Sequence, residues 1–291
     1  MYKGFHRFHP VTCMVYYIGL FILCMLLLHP LFLTAALAVI ILLNVVQDKG
    51  RQLRSNAWMY AILAFSIFLL NPLFTRRGKE ILFYIWDQPV TLEAIMYGWI
   101  MALSMLCVLC GFVSFNLIIT SGKFLYLFAR FIPKTALVTM LSVRFVPLLK
   151  RRLSDITTVQ QSKGIDISSG PLWKRARDGM VILQTLLTWS LEEALQTADS
   201  MQSRGYGLVS ERSSYQRFFM KRADYVVLFF LALGFSICAW GSFQGFGKLQ
   251  IYPTLESLTL VPFERWMLFS FIVYIGIPVF IEGREEWRWG T

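Results

Sequence analysis

Five long apolar runs, 11–28, 58–70, 95–120, 225–243 and 266–281, decide what this chain can fold into. A helix crosses a bilayer with about 20 mainly apolar residues, the usual range being roughly 17–25. Most of the runs reach that length, or nearly so with their flanks. A sixth run, 31–46, is thinner: its sixteen residues extend about 24 Å as a helix. It is counted as a span because His29-Pro30 breaks the helix before it. Composition agrees, with 56% hydrophobic and only 15% charged residues, where soluble domains carry about 25% charge. The expectation is an all-α, polytopic membrane protein with about six transmembrane helices. The first run is expected to stay in the mature chain, since no small-residue cleavage site follows it. Cys13, Cys24, Cys107, Cys110 and Cys238 all lie inside apolar runs, which argues against a disulfide framework.

Charge orients the chain. The formal net charge is +11, and residues 121–222 hold 16 of the 28 Lys and Arg but only 7 of the 17 acids, a local surplus of +9. Cations stay on the cytoplasmic side of membrane proteins, so this segment is expected to face the cytosol. With six spans, the loop 47–56, carrying Lys49, Arg51 and Arg54, falls inside as well. Arg76, Arg77 and Lys79 then fall outside, accompanied by Glu80 and Asp87. Three divisions follow: spans at 1–120, a basic insert at 121–222, and two closing spans at 223–291. Because spans flank the insert, its cations are assigned to anionic lipid headgroups or an acidic protein, and nucleic acid is not expected.

Within the insert the pattern reads as three helices. Residues 123–132 form a short amphipathic helix for the interface plane, ended by Pro133. Residues 134–163 place Leu137, Leu141, Leu148, Ile156 and Val159 at apolar positions beside Lys150, Arg151 and Arg152, with a kink expected at Pro147. Residues 172–204 carry a stripe of Trp173, Ala176, Met180, Leu183, Leu187, Leu191, Ala194, Ala198 and Met201, at intervals of three and four. The two long helices are expected to pack across each other by these stripes. Arg144 stands in an apolar stretch where an unpaired charge is costly, so it is expected to snorkel or to pair with an acid. Glu192, Glu193 and Asp199 read as structural partners of the helix's own cations.

Both long helices end in the same words: Gln161-Ser162-Lys163-Gly164, and Gln202-Ser203-Arg204-Gly205. One reading is capping, with glycine in the left-handed conformation and a cation at the helix dipole. The other is docking, a cation on a compact tip entering an acidic groove. The two are compatible. Other chemistry is thin. There is no G-x-x-x-x-G-K-[S/T] loop. Cys107-x-x-Cys110 lacks the further ligands a metal needs. His6, His9 and His29 form no H-E-x-x-H site, and the spans gather no convergent polar groups. No catalytic residue, cofactor or metal is assigned.

Arg144-Phe145-Val146-Pro147-Leu148-Leu149, leading into a basic helix with a Lys-Gly end and then a second helix ending Ser-Arg-Gly-Tyr-Gly, resembles the transmembrane T component of energy-coupling factor (ECF) transporters, the CbiQ-type family. The likeness extends over most of the chain in architecture, and its specific motifs lie within 141–207. It implies coupling helices whose Ala-Arg-Gly-type ends dock on two cytoplasmic ABC ATPase subunits, and a membrane part that holds a substrate-binding S component. By position, Ser162, Lys163 and Gly164 match the first signature, and Ser203, Arg204 and Gly205 the second. Both alanines are serines here, and Lys163 replaces a planar fork by a point charge. The resemblance implies a scaffold subunit in a prokaryotic cell membrane, serving vitamin or metal-ion uptake without being an enzyme. The rival reading is a membrane-embedded enzyme acting on lipid substrates.

Overall fold

The computed structural model describes residues 4–75, 81–85, 88–129, 131–208, 218–251 and 259–289. Among them run α1 (Pro10–Leu26), α2 (Pro30–Asp48), α3 (Arg51–Phe74), α4 (Leu92–Ile118), α5 (Ser121–Ala129), α6 (Pro133–Ser162), α7 (Leu172–Ser203), α8 (Arg222–Phe243) and α9 (Pro262–Trp289). A single 3-10 turn, Gly4–Arg7, precedes α1. The stretch between α3 and α4, read as a plain loop, holds an antiparallel pair, β1 (Ile81–Ile85) and β2 (Gln88–Thr91). β1 is the run Ile-Leu-Phe-Tyr-Ile, rich in strand formers. Arg76, Arg77, Lys79, Glu80 and Asp87 lie outside the described residues.

Among the described residues five helices are long and apolar enough to span a bilayer: α2, α3, α4, α8, and α9 over Pro262–Arg284. The short member is α1, whose 17 residues extend about 26 Å. The 31–46 run is not the weak one, because α2 adds Pro30 before it and Gln47-Asp48 after it, reaching 19 residues. One device starts both α1 and α2. His9 and His29 each accept a hydrogen bond at Nδ1 from the N–H two residues on, Val11 and Leu31, at 3.3 Å. The prolines at the first helical positions lack an N–H that would otherwise need a partner. The expected loop 47–56 shrinks to Lys49-Gly50, both left-handed, and Arg51 and Arg54 already belong to α3.

The chain divides into two compact units, Met1–Phe124 with Phe218–Thr291, and Leu125–Arg217. In the first, α2 packs on α4 and α9, α8 on α1 and α9, and α3 on α4. Tyr16, Tyr17, Leu20, Phe32, Phe271 and Tyr274 are fully enclosed. Glycines admit the close approaches that packing between spans favours: Gly19 lies against the Tyr274 ring, and a Cβ at Gly111 would come within 3.0 Å of both Leu20 and Phe21.

The interior of this unit is not purely apolar, contrary to expectation. Tyr17 donates to Ser114 at 2.6 Å, Ser114 donates to Gln47 Oε1 at 2.7 Å, and Gln47 Nε2 donates to Glu282 Oε1 at 3.3 Å. Four helices, α1, α4, α2 and α9, each contribute one side chain. The four residues are far apart along the chain, so only packing assembles the row. A second tie joins the starts of α1 and α8. Asp224, 2% exposed, accepts from His9 N and Lys221 N, each at 2.8 Å, and from Thr12 Oγ1 at 3.4 Å.

In α5, Lys123 is buried and its Nζ donates to the His6 carbonyl at 2.7 Å, so this cation is not turned to an interface. Burial holds its pKa below the usual lysine range. α5 ends at Ala129, and Pro133 opens α6 rather than closing α5.

In the second unit, α6 runs without interruption through Pro147 and packs on α7. Leu137, Leu141, Leu148 and Ile156 are half-buried as expected, while Val159 is exposed. α7 is turned differently. Ile182 is 2% exposed, and Leu186, Trp189, Glu193 and Thr197 share its face, half-buried. The stripe read from the sequence is left outside, with Met180, Leu183, Leu187 and Leu191 47–67% exposed. One residue is about 100° of helix, so a seam centred on Ile182 leaves Leu183 well off it. The expected stripe-to-stripe packing is therefore corrected. Trp189 instead receives Arg152, whose Cζ lies 4.1 Å from the ring centre. Such a contact is worth about 0.5–1 kcal/mol at an exposed site. Arg144 is exposed, so it buries no charge.

Candidate functional site

The repeated words at the ends of α6 and α7 fold into the same object. Gly164 N–H donates to Gln161 O at 3.0 Å and Ile165 N–H to Gln160 O at 3.0 Å; Gly205 N–H donates to Gln202 O at 2.9 Å and Tyr206 N–H to Met201 O at 3.0 Å. This is a Schellman cap at each end, closing two otherwise orphaned carbonyls. It requires a left-handed residue, and Gly164 and Gly205 both have φ +82°. A side chain at Gly164 would meet nothing within 4 Å, and one at Gly205 would touch only Leu208 at ordinary distance. The glycines are therefore demanded by backbone conformation and not by crowding. Ser162 Oγ bonds back to Thr158 O and Ser203 Oγ to Ser200 O, which points neither hydroxyl at a ligand. Lys163 and Arg204 occupy the cap positions and are exposed.

The Arg152–Trp189 contact ties the two helices together near their middles. Lys163 lies eleven residues beyond Arg152, and Arg204 fifteen beyond Trp189. At 1.5 Å per residue and an interaxial distance of 8–10 Å, the tips stand no more than about 50 Å apart.

The first tip carries a brace that sequence reasoning missed. Asp166 accepts from Ser168 N at 2.9 Å, from Ser168 Oγ at 2.7 Å and from Gln161 Nε2 at 3.4 Å. These donors hold its carboxyl down to about 2, the Ser168 hydroxyl foremost. Arg175 Nε donates to Ile167 O at 2.6 Å, fastening the same loop to α7. The signal was Asp-x-Ser after a helix-ending glycine, a side-chain-to-backbone turn. Cys107, the other motif residue weighed, points its Sγ at Leu33 O at 3.3 Å inside the first unit.

A polytopic helical membrane protein whose second unit is a pair of long helices with matching cationic, glycine-capped ends is the class that fold and site define. Comparison with known proteins narrows it. The profile of the CbiQ family, described as cobalt transport protein, matches residues 3–215. Energy-coupling factor transporter transmembrane protein EcfT of Bacillus selenitireducens is 34% identical over 93 residues, 32% of this chain and 35% of the relative. EcfT of Lactobacillus helveticus is 34% identical over 102 residues, 35% of this chain and 37% of the relative. EcfT of Limosilactobacillus fermentum is 28% identical over 93 residues, 32% and 35% of the two chains. These matches span about a third of the length of the curated relatives. This chain belongs to the CbiQ family.

Proposed function

We propose that the chain is the scaffold subunit of an ECF-type importer in a prokaryotic cell membrane. The segment 121–222 faces the cytoplasm, and two ABC ATPase subunits seat the tips at Ser162–Lys163–Gly164 and Ser203–Arg204–Gly205. ATP hydrolysis belongs to those partners. The spans of 1–120 and 223–291 hold a membrane S component that selects the vitamin or metal ion, and anionic lipid headgroups neutralise part of the basic segment. The observation that carries this reading is the pair of matching exposed caps, each presenting a cation on a rigid turn. When the ATPases close on ATP, their sockets draw the tips with them. The α6–α7 crossing passes the displacement on, and the outward stripe Met180, Leu183, Leu187 and Leu191 offers an apolar face to the S component. Coupling of this kind needs an element with two arrangements that both ends bias.

The test is affinity purification in mild detergent, with solute uptake measured alongside membrane expression. Arg204 can fork onto a carboxylate, whereas Lys163 offers one charge on a flexible stem. Arg204→Ala is therefore expected to weaken ATPase retention more than Lys163→Ala. Removing one partner of a buried charge pair costs about 2–5 kcal/mol, roughly 30-fold to a few thousand-fold in affinity. Arg204→Glu is expected to be worse still. If all three variants assemble and transport like the parent, the caps are only helix ends and the docking assignment fails.

A further inference from the structure

The chain passes between its two units at two junctions: it leaves the first unit at Phe124 and returns to it at Phe218. Both junctions are fastened, within the first unit, to one short N-terminal segment, Gly4–His9. Lys123, one residue before the first junction, is 3% exposed, and its Nζ donates to the His6 carbonyl at 2.7 Å. At the second junction the Phe218 ring meets the His9 imidazole edge-on, with ring centres 6.4 Å apart. A little further on, Asp224 accepts from the N–H groups of His9 and Lys221, each at 2.8 Å. The Lys123 and Asp224 ties both use main-chain atoms of the segment, so they fix where its backbone lies. Taking an amine out of water is costly, and an apolar side chain would fill the same space without that cost. What the Lys123 amine adds is the tie.

The segment is itself seated in the core. Phe5 is fully buried, with its ring 5.5 Å from that of Tyr16 at 71°, and Cys13 Sγ donates to Phe5 O at 3.6 Å. Tyr16 in turn stacks on Tyr274 of α9 at 5.7 Å. Gly4 has φ +68°, and a Cβ there would come within 2.6 Å of Glu282 Cγ, so α9 lies directly against the turn. An unbroken run of contacts thus leads from both junctions, through Gly4–His9, to α1 and α9.

We propose that Gly4–His9 is a clasp on both junctions, and that Lys123 and Asp224 are positioning residues that pass displacement of the second unit into the spans. Coupling travels through contiguous contacts of this kind, and two junctions that share one seat move together. The coupling role rests on the docking reading above; the clasp itself does not.

Hydrogen exchange of the full chain in detergent tests the clasp first. Lys123→Met keeps an unbranched stem and removes the amine. It is expected to speed exchange at the start of α5 about 2–13-fold, the worth of one net hydrogen bond, and to speed it also at Lys221–Tyr225. Asp224→Ala is expected to act in the other direction, loosening the start of α5 as well as that of α8. Ser104→Ala deletes the bond from Ser104 Oγ to Cys24 O, at the other end of α1, and is expected to leave both junctions unchanged. Loosening confined to the mutated junction would mean two separate ties and overturns the proposal, as does a Ser104→Ala effect of the same size. Should one variant not fold, the other decides, since each is read at the opposite junction.

The coupling role is read on the chain purified with its ATPases, with and without ATP and orthovanadate to hold them closed. In the parent, exchange is expected to change in α6 and α7 and also in α1 and α8. In Lys123→Met the changes in α6 and α7 are expected to persist, while those in α1 and α8 shrink about 2–30-fold. Undiminished changes in α1 and α8 overturn the coupling role. A parent whose α6 and α7 ignore the nucleotide refutes the docking reading instead, and the reciprocal loosening still decides the clasp.

Discussion

The two units bury their polar and apolar groups in opposite ways. In the unit of Met1–Phe124 and Phe218–Thr291, Tyr17, Ser114, Gln47 and Glu282 are joined across four helices, and Asp224 ties two helix starts. In the unit of Leu125–Arg217, Ala136 and Ile182 are the buried hydrophobic residues among those described, and leucines stand on the outer face of α7. The first unit ties polar side chains to one another around an enclosed core, and its outward apolar residues, Trp58, Phe65 and Phe229 among them, lie on helices long and apolar enough to span a bilayer. The second keeps apolar surface and cations for contacts it does not make with itself, the pattern of an element shaped by partners.

The largest effect is expected where that internal satisfaction is removed. Asp224→Ala strands the buried N–H of His9, at about 1–3 kcal/mol, and removes the cap of α8 at the part-buried N–H of Lys221, at about 1 kcal/mol more, besides the bond to Thr12. Thermal unfolding in detergent should shift down by several degrees, and a parent-like melting curve would show that the tie is idle. The next effect separates the two faces of α7. Ile182→Ser should lower the stability of the second unit by about 2–5 kcal/mol, as core truncations do, whereas Leu187→Ser should change it by less than about 0.5 kcal/mol. Reversal of that order would mean that the stripe, not the Ile182 face, meets α6.

Smaller effects are expected at the tips. Gly164→Val and Gly205→Val force a β-branched residue to φ +82°, at about 1–2 kcal/mol each. Helical circular dichroism should barely move while ATPase retention falls; unaltered retention in both would separate the caps from docking. The smallest concerns Asp166, whose carboxyl is depressed from 3.8 to about 2. A depressed acid contributes stability that is present above its ordinary range and lost as pH falls through the folded value. The brace should therefore persist at pH 4 and loosen only toward pH 2, read from the Ser168 amide resonance. Loosening near pH 5 would contradict the bonds that hold it.

Much of the molecule was legible in the residues. Apolar length marked the spans, because an unbroken run of that size has few other uses. His29-Pro30 marked a boundary, and the helices at 134–163 and 172–204 were placed within a residue or so of α6 and α7. The Gln-Ser-cation-Gly words foretold the caps, since a Schellman turn depends on local backbone conformation and on glycine alone. The β1–β2 pair escaped, because nine residues of strand between charged flanks resemble any loop.

What the sequence could not decide was which faces meet. Periodicity shows that α7 has an apolar side but not who covers it, so the longest stripe was assigned to α6 when Ile182 and Trp189 take that place. The row from Tyr17 to Glu282 likewise joins residues up to 265 positions apart, each unremarkable in its own run. Caps and spans rest on neighbours along the chain, and one sequence states them. Seams and buried polar rows rest on neighbours in space, and only the tertiary structure selects those.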